Sequence, residues 1–145
     1  MSDSAGDVRS VFEFARAGVL LVAAGVLVRI VPMRVIARRV ERTLPRTVSG
    51  AAADFAARRV RWALDAVQRR LPWSVPCLAT AIAANRLLAW HGVPSELWFG
   101  VRANGEPTID AHAWLIAEGR IVTGEATRSE YVPMHALITA ASSRT

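Results

Sequence analysis

Apolar residues fill the stretch from Val8 to Val31 with few interruptions, and their spacing predicts one long helix centred on the run from Gly18 to Val28. Arg16 and Arg29 bracket only twelve residues, fewer than the about 20 a membrane span needs, so the expectation is a buried core helix. An interfacial or partner-docking helix is the alternative. Pro32 ends this helix. Met33 to Thr43 predicts a second, short helix on which Arg34, Arg38 and Arg42 share one solvated face at i, i+4, i+8. Pro45 to Gly50 is a linker, with Ser49 placed to cap a third helix over Ala51 to Arg70. That helix carries the stripe Val60, Leu64, Val67 and Leu71 and stops at Pro72. Trp73-Ser74-Val75-Pro76 leads into a fourth helix from Cys77 to His91, with Ser74 as the expected cap and Leu78, Ile82, Leu87 and Leu88 as its buried side. Gly92-Val93-Pro94 is its stop signal.

Beyond Pro94 the period falls from 3.6 to 2. Glu96 to Arg102, Asp110 to Ala117 and Arg120 to Thr123 read as three strands of an antiparallel meander, with Glu118-Gly119 as the tight turn between the last two. The tail from Tyr131 is apolar as far as Ala141. Helices followed by a small antiparallel sheet make this an α+β chain. Its organisation is an N-terminal helical region over residues 1–48 and a second unit over 49–145.

Composition narrows the function classes. Of the 145 residues 52% are apolar, enough for one core. The net charge of +6 is uneven: 13 Arg against 6 acidic residues through Pro72 (+7), then 5 Arg against 6 acidic (−1). Basic charge carried by Arg alone fits GC-rich coding better than phosphate recognition, so nucleic acid is not an expected partner. The basic half is instead a surface for an acidic protein, a peptide or a headgroup layer. One cysteine forbids an internal disulfide, and Asp3, Asp7 and Glu13 stand where a secretory signal would be basic; a reducing cytoplasm is the expectation. One Cys and three scattered His give no metal-ligand spacing, no Gly-rich phosphate loop is present, and GxSxG is absent, so no metal or cofactor is expected.

The candidate chemistry is a thiol. Cys77 falls on the first turn of the fourth helix, where unpaired amides and the helix dipole favour thiolate, the attacking species; a lone cysteine is otherwise inert packing. His112, on a strand face shared with Asp110 and Trp114, is the candidate base. His91 lies at the far end of the helix, about 20 Å from Cys77, and His135 lies in the tail. Glu125, just past the third strand, is the favoured group to orient the imidazole, with Asp110 as the alternative.

The motifs Cys77-Leu78, Gly92-Val93-Pro94, Phe99-Gly100-Val101-Arg102, Ala111-His112-Ala113-Trp114-Leu115 and Glu118-Gly119-Arg120-Ile121-Val122 together resemble the lasso-peptide B proteins, over residues 73 to about 134. The likeness is to their transglutaminase-like, papain-like cysteine peptidase part. It implies a peptidase that removes the leader from a ribosomally made precursor through a Cys-His acyl-enzyme, with Cys77 on the family nucleophile and His112 on its base. The family's third residue is an Asp that aligns with Gly124; whether Glu125 substitutes for it, or the pair works without it, stays open. With only helices ahead of the peptidase region, the chain resembles the split form, which implies a separate leader-recognition protein, the precursor peptide and an asparagine-synthetase-like cyclase as partners. The basic, apolar N-terminal half is where the recognition protein would dock, and membrane association is not expected. A transglutaminase-like acyltransferase and a non-catalytic helical interaction protein are the competing readings.

Overall fold

A computed structural model describes residues 3–32, 35, 48–103, 109–124 and 130–138. Helix α1 spans Asp3–Ile30, α2 Ala51–Gln68 and α3 Cys77–Trp90. Strands β1 (Glu96–Ala103), β2 (Ile109–Ala117), β3 (Arg120–Thr123) and β4 (Val132–Ile138) form one antiparallel sheet in the order β3-β2-β1-β4. The chain is thus α+β, with helices packed on a small antiparallel sheet behind an N-terminal helix. The short helix expected over Met33 to Thr43 lies outside the described residues, apart from Val35.

Helix α1 buries Glu13, Ala17, Leu21 and Ala24, a stripe at helical spacing, against α2 and α3. Its opposite face leaves Val8, Phe12, Val19, Val22, Val26 and Ile30 exposed. The core-helix expectation therefore holds for one face only. By length and composition Gly6–Ile30 would suffice to cross a membrane, so twelve residues understates its apolar run.

Both expected serine caps are absent. Gly50 is the N-cap of α2, at φ 69°, and Pro76 is the N-cap of α3; neither helix start carries a side-chain cap. In each case the residue next to the helix already fixes the turn, Gly50 by its positive φ and Pro76 by its ring, which leaves the serine outside capping position. The C-terminal stop of α3 forms as expected: Gly92 takes φ 72°, with Gly92 N–H donating to Ala89 O at 3.0 Å and Val93 N–H to Leu88 O at 2.9 Å, a Schellman motif. A buried bond from Asn85 Nδ2 to Ser95 Oγ (2.9 Å) ties the connection back onto the helix. The chain then doubles back as β1 beneath α3.

β1 and β2 pair without interruption from Glu96↔Ile116 to Ala103↔Ile109. Glu118 (φ 50°) and Gly119 (φ 71°) make the expected two-residue turn into β3. β4, on the other edge, was not expected as a strand; it pairs with β1 through a register shift at Phe99/Gly100. The helix-side core takes Ala113, Leu115 and Ala117 of β2 together with Leu97 of β1. Arg120 donates to Asp54 Oδ1 at 2.8 Å, fastening β3 to α2.

Candidate functional site

Cys77 is the first residue of α3, half-buried and packed against the helix-side core. The first amides of a helix lack intrahelical partners, and no side chain caps this start. They and the dipole behind them face whatever approaches the sulfur. The turn is held in place from α2: Gln68 Nε2 donates to Thr80 Oγ1 at 2.7 Å, and Thr80 N–H donates to Pro76 O at 3.1 Å.

His112 lies on β2 opposite Gly100 of β1. Because neighbours alternate, it faces with Asp110 and Trp114 away from Ala113 and Leu115. Its Nε2 lies 3.2 Å from the backbone carbonyl of Gly124. A carbonyl only accepts, so in this contact Nε2 is the donor. The ring stacks on Tyr131 (centroids 5.0 Å apart, 28° between planes) and more loosely on Trp114 (6.0 Å, 27°).

Two glycines make this packing possible. A Cβ at Gly100 would come within 2.8 Å of the Trp114 ring, so the bare backbone there admits the fully buried indole. Gly124, at φ 81°, brings its carbonyl against His112 where a Cβ would meet Trp114 Cβ at 2.8 Å.

Asp110 orients the ring at one remove. Its Oδ2 accepts from the Tyr131 hydroxyl at 2.7 Å and from Arg102 Nη2 at 2.9 Å, and Arg102 also pairs with Glu130. The Tyr131 hydrogen bond, reinforced by Arg102, holds the Asp110 carboxyl below the usual carboxylate range. The same bond, with burial, raises the Tyr131 phenol, and the bond to Asp110 raises the Arg102 guanidinium. The signs bound the clasp: the lowered carboxyl contributes above the ordinary carboxyl pKa and fails as pH falls through its folded value. The raised phenol contributes below about 10 and fails as pH rises through its folded value. Tyr131 is the only tyrosine in the chain, so near-ultraviolet tyrosinate absorbance reads it alone. Folded protein should titrate above the free phenol and Asp110→Ala should return it toward about 10; an unshifted wild-type midpoint would discard the clasp.

Of the sequence-predicted residues, Cys77 packs against the helix-side core through α3, which contacts β2, while the His112 side chain lies on the face of β2 shared with Trp114; among the described residues no hydrogen bond joins thiol to ring. Glu125 lies outside the described residues. His91 pairs with Glu13 at 2.9 Å at the C-terminal end of α3, a helix-length from Cys77, and His135 stands on β4 opposite Phe99. Sequence reasoning missed Gly124 O as the acceptor for the ring and Tyr131 as its platform. No residue type signals a backbone acceptor, and Tyr131 lies 19 residues beyond His112 in the chain.

The comparisons with known proteins bear on most of this fold. Residues 18–136 match the family model of the transglutaminase-like superfamily. No curated protein and no solved structure gives a significant match.

Proposed function

The chain belongs to the transglutaminase-like superfamily, a group of cysteine-dependent peptidases and acyltransferases, and on that premise we propose that it is the cysteine peptidase that frees a lasso-peptide precursor from its leader. The observation that carries this reading is a half-buried thiol on the uncapped first turn of α3, which packs on β2, the strand that carries a histidine whose Nε2 is held 3.2 Å from Gly124 O. Catalytic hydrogen bonds commonly tighten only around a bound substrate, so thiol and imidazole close on each other as the peptide seats.

The imidazole of His112 takes the Cys77 proton, and the thiolate adds to the last carbonyl of the leader. Helix-start amides, that of Cys77 among them, stabilise the oxyanion. The imidazolium returns its proton to the departing amine of the core peptide, leaving a thioester on Cys77. Water, deprotonated by His112, then releases the leader as a carboxylic acid and restores the thiol. The freed amine is the group a partner cyclase joins to a side-chain carboxyl. The cytoplasm, a separate recognition protein and the helical region 1–48 as its docking surface complete the proposal. The basic charge of that half and the exposed apolar face of α1 support it.

The test mixes purified protein, recognition protein and precursor, quenches early and weighs everything intact. Expected are a leader-sized acyl adduct on Cys77, a free leader acid and a core peptide with a free amine. A leader joined to an added amine would make the protein an acyltransferase, and intact precursor after prolonged incubation would end the peptidase reading.

A further inference from the structure

We propose that the groove between the outer face of α1 and the Trp73–Pro76 segment is a subsite for one aliphatic side chain of the peptide acyl donor, within a residue or two of the carbonyl that Cys77 attacks. The inference rests on Cys77 as nucleophile and adds what the substrate must present to it. Leu21, Val22, Gly25, Val26 and Arg29 of α1 line one side of the groove, and Leu71 with the residues from Trp73 to Pro76 the other. Its volume is about 110 Å³. That is well below the roughly 300 Å³ at which small-molecule sites begin, and equals the share of only about four waters at roughly 30 Å³ each. One side chain fits; a cofactor does not.

Three observations give the groove its occupant. Apart from Arg29 and Ser74 its walls are apolar, and they are wet: Val22 is 48%, Val26 52% and Trp73 55% exposed, area that an aliphatic side chain would remove from water. Its far wall ends at Pro76, covalently next to the nucleophile, so a chain lying in it is led to the sulfur. Among the described residues Ser74 and Val75 make no backbone–backbone hydrogen bond, so this stretch is open to pairing with an extended peptide. The acyl half of the substrate is the half that stays on sulfur, so the subsite acts at acylation whatever the acceptor.

Gly25 provides the variant. Gly25 lines the groove and a Cβ there meets nothing within 4 Å, so Gly25→Leu puts side-chain atoms at the subsite and improves helix propensity in α1. The probes are peptidyl chloromethyl ketones, which mimic the acyl side; the thiolate displaces chloride and forms a thioether. Inactivation should be about tenfold to a hundredfold faster with Leu or Val than with Asp or Lys in the two positions before the ketone. Gly25→Leu should erase that preference. Iodoacetamide, which needs no subsite, should alkylate Cys77 equally in both proteins. Equal rates for apolar and polar probes, or a preference that survives Gly25→Leu, overturn the subsite while leaving the nucleophile standing. If iodoacetamide meets an inert thiol, the nucleophile falls and the subsite with it.

Discussion

Cys77→Ala should abolish precursor cleavage, a loss of about 10⁴-fold or more, with the fold intact. The thiol is half-buried on the first turn of α3, a position held by the Gln68–Thr80 bond and by packing against the core rather than by the sulfur itself. Removing one atom there costs on the order of 1 kcal/mol, too little to unfold a domain of ordinary stability. His112→Ala should fall nearly as far, and the double variant little further than Cys77→Ala, because a nucleophile and its base act as one unit. Rates come from intact-mass time courses and folding from thermal melts of the same samples. Cleavage by Cys77→Ala within tenfold of wild type would rule out a covalent route through this residue.

The parts of the fold legible in the sequence were those encoded locally. Gly92-Val93-Pro94 predicted the end of α3 because a Schellman stop needs a glycine at one position, and Glu118-Gly119 predicted the β2–β3 turn for a similar reason. β4 went unrecognised because its cues are non-local. Pro133 weakens the strand pattern and is tolerated because β4 is an edge, and its pairing with β1 slips at Phe99/Gly100. The serine caps failed on rivalry with Gly50 and Pro76, which sit closer to the helices and set the backbone themselves.

The site divides along the same line. Cys77 at a helix start and His112 on a strand are identities at positions, and a sequence displays both. The acceptor for the ring is a backbone carbonyl, which every residue has, so nothing in the residue type announces it. The platform is Tyr131, 19 residues beyond His112 in the chain, and only the clasp through Asp110 and Arg102 brings it there. Asp110, the sequence's alternative for orienting the ring, has its Oδ2 anchoring the stacking tyrosine, a role that depends on β1–β2 register, with Arg102 directly across from it.

Gly124 gives the other large effect, and its direction runs against the resemblance that prompts it. The aligned family position carries an Asp, so Gly124→Asp formally restores the missing carboxylate; it should nevertheless be worse than wild type, and Gly124→Ala nearly as bad. At φ 81° any side chain strains the backbone, by about 1–3 kcal/mol. The new Cβ would also lie 2.8 Å from Trp114 Cβ, 2.9 Å from Ala113 O and 3.0 Å from His112 Nε2. The first two are fixed to β2 and cannot swing aside, so the β3 end or the imidazole must move, adding about 1–3 kcal/mol. Stability should fall by about 2–6 kcal/mol. Cleavage by the fraction still folded should fall about a hundredfold, since a displacement near 1 Å at a reacting group costs that much. Gly119→Ala separates strain from collision: φ there is 71° but nothing lies within 4 Å of the added Cβ, so stability should drop modestly with kcat unchanged. Denaturant melts and kcat at a temperature where each variant is folded distinguish the two. If Gly124→Asp cleaves as fast as wild type, a carboxylate fits beside His112 after all, and the carbonyl has no special claim to hold the ring.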